Sequence, residues 1–180
     1  MQKSYKVIIL GDKGVGKTSF IDRNLYSMFD NQEGYTPTKE FESFPISFLT
    51  TNGKFKFFVN EYNFNCNNNN NESVNTREIV EFYKNVDCAI IMSDLTNKSF
   101  NERCNFWEQE LLKNNCKNIP IIILGSKYDL VEEVNIELIL DKKYFNISSK
   151  TGYNCEEPFL FLCQGFSNDI NLKFLFYEFK

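Results

Sequence analysis

The chain contains no histidine. Ser-His and Cys-His nucleophile chemistry is thereby excluded, together with the commonest general base near neutral pH, so any catalysis must use carboxylates, amides, lysine, arginine or a metal. It also lacks CxxC spacing. The six cysteines (Cys66, Cys88, Cys104, Cys116, Cys155, Cys163) are scattered, and without histidine they complete no zinc site. They read as small buried or incidental thiols of a reducing compartment. No segment approaches the roughly 18 apolar residues of a membrane span. The opening MQKSYKVIILGDKG holds an apolar run of only four residues, too short for a signal peptide. A soluble intracellular protein is expected. No block of Lys and Arg overrides the formal charge of -4, which leaves no electrostatic footprint for a nucleic-acid backbone.

What is present is a large aromatic content, supplied mostly by 19 Phe, in a chain of 180 residues. That length suits one domain with a sizeable, ring-rich core. Val7 to Leu10 is a short apolar run that stops at Gly11, as a buried parallel strand should, and the following TSFIDRNLYSMF carries Phe20, Ile21, Leu25 and Phe29 near helical spacing. Phe44 to Thr51 and Phe55 to Asn60 read as a hairpin, with Asn52-Gly53 supplying the positive-φ residues of its turn. The spacing of Ile79, Val80, Tyr83 and Val86 predicts a helix, followed by the buried run CAIIM. FNERCNFWEQELLKNN (helix), NIPIIILGS (strand), VNIELILDKK (helix), YFNIS (strand) and EEPFLFLCQGF (helix) continue the alternation, with Pro158 tolerated in the last helix's first turn. Alternating strands and helices imply an α/β fold with a mainly parallel sheet covered on both faces, whose ligands bind at the carboxyl ends of the strands.

GDKGVGKT, Gly11 to Thr18, fits G-x-x-x-x-G-K-[ST] and lies after a buried strand and at a helix N-terminus, where that motif works. Its glycines (Gly11, Gly14, Gly16) let backbone N–H groups, including those of Asp12, Lys13 and Val15, turn inward around phosphate oxygens. Lys17 can reach the β- and γ-phosphates, and Thr18 can offer its hydroxyl to magnesium. SKYD, Ser126 to Asp129, follows the third buried strand and puts Asp129 at the same sheet edge. A carboxylate there can accept from two adjacent N–H donors, such as guanine N1 and N2, while Lys127 lays its stem over the ring. Alone, Asp129 would be a plain loop aspartate; its register with Lys17 gives it the second meaning.

These motifs resemble the Ras-like small GTPases, and within them most closely the Ran branch of nuclear transport. CAIIMSDLT (88–96), NIPIIILGSKYDL (118–130) and YFNISSKTGYNCEEPFLFL (144–162) carry the likeness, which runs from about Tyr5 to Phe174. The resemblance implies a P-loop small G domain spanning 1–180: a six-stranded, mostly parallel sheet with one antiparallel edge strand, and about five helices. It also implies GTP or GDP with Mg2+, exchange factors, effectors or transport receptors as partners, and a nuclear and cytoplasmic location. Residue by residue, it assigns Lys17 and the loop amides to phosphates and Thr18 to magnesium. Thr38 in YTPTKEFE would give magnesium a second hydroxyl and the γ-phosphate an N–H. Phe29 would lean on the base, and Ser148, Ser149 and Lys150 would offer N–H groups to the guanine carbonyl.

The departures fall mostly on hydrolysis. Lys13 stands where Ran has glycine, beside the γ-phosphate, where it either hinders transition-state geometry or holds GTP more tightly. Ser126 replaces the asparagine of N-K-x-D, which weakens base affinity by on the order of 1 kcal/mol, and TKE replaces T-x-G after Thr38. Aligning the hairpin places Glu61 at the D-x-x-G aspartate that holds magnesium through water, Phe64 at its glycine and Asn65 at the water-orienting glutamine. Very slow intrinsic hydrolysis is expected, unless switch II slides and Asn67 or another amide substitutes. Glu132, Glu133 and Glu137 replace a basic patch of Ran. The ending LKFLFYEFK has neither Ran's acidic tail nor a prenylation motif, and reads as a packed segment rather than a membrane anchor. Two alternatives stay open: a competent GTPase whose partner supplies catalytic groups in trans, and a nucleotide-free interaction scaffold.

Overall fold

The computed structural model describes residues 2–26, 41–62, 76–114, 116–133 and 142–175. Strands β1 (Gln2–Leu10), β2 (Phe41–Thr50), β3 (Gly53–Tyr62), β4 (Cys88–Asp94), β5 (Ile121–Ser126) and β6 (Lys143–Asn146) form a six-stranded sheet in the order β2-β3-β1-β4-β5-β6. Only β2, on one edge, runs antiparallel to its neighbour. Four α-helices accompany it among the described residues: α1 (Lys17–Tyr26), α2 (Thr76–Tyr83), α3 (Phe100–Lys113) and α4 (Glu157–Ser167). The expected α/β fold with a mostly parallel sheet and one antiparallel edge strand is the observed one. The helix expected over VNIELILDKK lies outside the described residues except at its end, where Lys143 begins β6.

Successive residues of β1 point to opposite faces, as the period of a strand requires. Val7 and Ile9 enter a core with Phe20 and Ile21 of α1 and Phe159, Leu162 and Cys163 of α4. Ile8 and Leu10 enter a second core with Phe82 of α2 and Cys104, Trp107 and Leu111 of α3. An uninterrupted apolar run is thus a strand buried on both faces. The phenylalanines meet as rings: Phe20 stacks on Phe159 at 5.7 Å, and Phe57 tilts against the same ring at 5.4 Å. Such pairs add about 0.5–1.5 kcal/mol each beyond the area they bury. Phe174 stacks on Phe48 at 4.5 Å and bridges Thr50, so the aromatic ending packs at least to that residue.

Three local expectations change. β1 begins at Gln2 rather than Val7, because β3 is long enough to pair with the polar residues from Gln2 to Lys6. In the hairpin turn Gly53 alone takes a positive φ, 103°, and Asn52 does not. On α2, Val80 is 60% exposed while Phe82 and Tyr83 are buried. The apolar face is therefore Ile79, Phe82, Tyr83 and Val86, the better helical stripe. No helix among the described residues is long and apolar enough to cross a membrane.

The five described cysteines are buried and unpaired. Burial pushes Cys104 and Cys163 up to about 12 and Cys155 up to about 11. Unfolded thiols ionise near about 8.5, so the native state keeps protons that the unfolded chain releases above that value. Their contribution to stability is complete below about pH 8.5 and is lost as pH climbs toward the folded values. Urea unfolding under reductant should show a loss of about 2 kcal/mol per buried thiol between about pH 7.5 and about pH 10. An unchanged midpoint would contradict it.

Candidate functional site

The loop from Gly11 to Gly16 joins β1 to α1 and passes directly over β4. A Cβ on Gly11 would lie 2.2 Å from the Met92 carbonyl oxygen, so only glycine permits that approach. Lys17, the first residue of α1 and 9% exposed, folds back across the loop. Its Nζ donates to the Gly11 carbonyl at 2.9 Å and the Asp12 carbonyl at 3.0 Å. Burial lowers its pKa below the usual lysine value, and the carboxylates of Glu61 and Asp12 offset part of that shift. Val15 is sunk in the core, and Lys13 is exposed.

Glu61 comes from the carboxyl end of β3, where it pairs with Ile9. It is 4% exposed, and the Thr18 hydroxyl lies 2.9 Å from its Oε2 and 3.1 Å from its Oε1. A hydroxyl and a carboxylate are hard oxygen donors of the kind Mg2+ takes. That ion characteristically binds one or two protein oxygens and completes its shell with phosphate and water. The residues fit it: the Thr18 hydroxyl and the Glu61 carboxylate are two adjacent hard oxygens that would supply part of such a shell. The ion would neutralise phosphate charge and orient the phosphate oxygens.

At the other end of the site, Ser126 is 2% exposed and its hydroxyl donates to the Ser93 carbonyl at 3.1 Å. The short side chain that replaces an amide therefore ties β5 to β4. Lys127 has φ 60° and places its Nζ 2.6 Å from Asp94 Oδ2. Burial works against ionised Asp94, but hydrogen bonds from Lys127 and Thr96 outweigh it and hold the carboxyl below the usual carboxylate range. Asp129 is exposed, with Oδ1 accepting from the Ser148 hydroxyl at 2.6 Å. One carboxylate oxygen is oriented by Ser148 while the group as a whole faces solvent. The Ser148 N–H is spent on the Tyr153 carbonyl at 3.0 Å.

Two arginines that sequence reasoning missed hold this constellation. Arg23 of α1 donates from Nε to the Ser149 carbonyl at 2.8 Å and from Nη2 to the Lys150 carbonyl at 2.6 Å, so α1 grips the loop after β6. Replacing Arg23 with alanine should lower guanine-nucleotide affinity about threefold to tenfold by freeing that loop. Unchanged affinity in a fluorescent-nucleotide titration would exclude the role. Arg103 of α3, with Trp107 one turn later, binds the Asp12 carboxylate. The available signal was an Arg and a Trp at i, i+4 on the helix after β4. Asp12 thus contributes its carbonyl to the phosphate loop and its side chain to α3.

The carboxyl ends of β1, β3, β4, β5 and β6 bring Gly11 to Thr18, Glu61, Asp94, Ser126 to Asp129 and Ser148 to Lys150 to one edge of the sheet. Phe29, Thr38, Phe64, Asn65 and the asparagine run lie outside the described residues. A sequence model of the Ras family matches residues 6–168, which takes in every residue of the site just described. With a phosphate loop, a hydroxyl-carboxylate pair and an aspartate at that single edge, the chain belongs to the Ras family of small GTP-binding switch proteins.

Proposed function

We propose that this protein is a Ran-like switch that binds GTP with Mg2+ and hydrolyses it very slowly by itself, acting with exchange factors and transport-receptor-like effectors in nucleus and cytoplasm. The observation that carries the slow-hydrolysis reading is the contact between Glu61 and Thr18. A carboxylate one methylene longer than aspartate spans the distance to the magnesium-side hydroxyl directly, and so crowds the space a bridging water needs. Lys13 in the phosphate loop, and Phe64 and Asn65 after β3, add to it from the sequence alone. The Ran-like part rests on CAIIMSDLT, NIPIIILGSKYDL and YFNISSKTGYNCEEPFLFL.

The test is to purify the protein without added nucleotide, identify what it carries, load it with GTP and Mg2+, and follow phosphate release over many hours. Retained guanine nucleotide with negligible release is expected. Ordinary family turnover would sink the slow-hydrolysis reading, and failure to hold any nucleotide in Mg2+ would favour a scaffold.

A further inference from the structure

Asp12 is an awkward residue to find in a phosphate loop. Its side chain is an anion placed beside the site that must hold a more highly charged anion, and like charges at short range disfavour binding. The structure shows what is done with that charge. Arg103 Nε donates to Asp12 Oδ2 at 2.6 Å, Arg103 Nη2 donates to Oδ1, and Trp107 Nε1 donates to the same Oδ1 at 3.0 Å. The guanidinium is backed by the Phe106 ring, 4.5 Å from its carbon, and Phe106 in turn meets Trp107 edge-on at 5.2 Å. This is the planar fork geometry in which arginine outperforms lysine. At its other end Asp12 offers its carbonyl to Lys17, 3.0 Å away. One residue therefore links α3 to the lysine that meets phosphate.

We infer that Arg103 is a positioning residue for nucleotide binding: it neutralises the Asp12 carboxylate, turns it away from the phosphates and fixes the loop carbonyls on which Lys17 rests. The inference rests on the GTP-binding reading and adds to it a residue outside every nucleotide motif of the sequence. A simple staple between helix and loop would hold the fold without regard to ligand charge. Charge neutralisation is different: it matters more for GTP than for GDP. Because the two side chains are 34% and 30% exposed, it is also open to screening by salt.

The test measures dissociation constants for GTP and GDP, with Mg2+, at low and high salt. Arg103→Ala should weaken GTP about tenfold and GDP about threefold, with the difference shrinking at high salt. Arg103→Lys, which keeps the charge, should hold the GTP-to-GDP ratio near that of the wild type. Adding Asp12→Asn to Arg103→Ala should recover most of the loss, a coupling that independent sites do not show. Equal losses for both nucleotides, no recovery by Asp12→Asn, or unchanged affinities in Arg103→Ala would each overturn the inference. Should the alanine variant fail to fold, Arg103→Gln keeps the length and an N–H donor but no charge, and is read the same way. A wild-type protein that binds neither nucleotide would remove the GTP-binding reading and this inference together; normal wild-type binding with an indifferent Arg103→Ala removes the inference alone.

Discussion

Replacing Gly11 with alanine should lower the melting temperature by about 10 °C and weaken nucleotide binding about 100-fold. The stability part follows from three contacts. The new Cβ would sit 2.2 Å from the Met92 carbonyl oxygen, 3.2 Å from the Met92 carbonyl carbon and 3.1 Å from Val15 Cγ2. Two of these are backbone atoms of β4, a strand paired on both sides, and cannot swing aside. Gly11 also has φ +153°, where a side chain is strained whatever the space. Together these cost about 3 kcal/mol or more, which in a domain of this size corresponds to about 10 °C. The binding part follows because the loop can relieve the clash only by lifting off β4, which carries away the Gly11 and Asp12 carbonyls that position Lys17. Charge-assisted hydrogen bonds are worth about 1.5–3 kcal/mol each, so misplacing the lysine and one loop amide accounts for about 100-fold. Gly14→Ala is the control: its Cβ meets nothing within 4 Å, and only its φ of +81° opposes the change. It should cost about 1 kcal/mol. Thermal unfolding and nucleotide titration of both variants decide the matter, and a Gly11→Ala protein with the wild-type melting temperature would defeat the argument.

The contrast also explains what the sequence could and could not disclose. The strand, loop and α1 were legible because every signal is local: an apolar run, a glycine where the chain turns, then helical spacing. Asp129 was legible for the same reason, as a motif ending a buried run. Arg23 and Arg103 were not, since their partners lie 126 and 91 residues away in the chain, and no periodicity announces such a pairing. Ser126 was visible as a departure from asparagine, but not its turn toward the Ser93 carbonyl, which needs the β4-β5 register to be known. The polar start of β1 was missed because its strand character comes from pairing with β3 rather than from its own hydrophobicity. The Val80 error had a different source: two apolar residues competed for one stripe, and only packing against Tyr62 and β4 selects Phe82.

The charges of the phosphate site form a related pattern. Lys17 is buried at a cost, with its pKa lowered, and its ammonium is held by carbonyls and by nearby carboxylates. Glu61 and Asp12 are the anions that offset it, and each is itself held, Glu61 by Thr18 and Asp12 by Arg103. A phosphate bound there would bring a stronger anion to Lys17, favour its charged form and reverse the burial penalty. The arrangement is thus preorganised for an anion at the cost of some stability in its absence, which ties ligand binding to folding by mass action.

Restoring the family residues at the end of β3 and beyond it, with Glu61→Asp, Phe64→Gly and Asn65→Gln together, should raise single-turnover GTP hydrolysis about 100-fold. Each change answers a separate physical fault. Glu61→Asp withdraws the carboxylate by one carbon–carbon bond, about 1.5 Å, from a hydroxyl it now touches at 2.9 Å, and so makes room for a bridging water. On the proposed reading, Phe64→Gly would remove a side chain from the position that the family keeps as glycine. On the same reading, Asn65→Gln would return the methylene that the family's glutamine has, and an error of about 1 Å in a water-orienting group costs about 100-fold. The single substitutions separate the effects. Glu61→Asp alone should recover part of the hydrolysis rate and also change the Mg2+ concentration needed to retain nucleotide, whereas Phe64→Gly with Asn65→Gln should act on hydrolysis with little effect on retention. If the triple variant stays as slow as the wild type and adding Lys13→Gly then releases it, Lys13 is the dominant obstacle, and the Glu61 contact with Thr18 is a feature of metal binding rather than of rate.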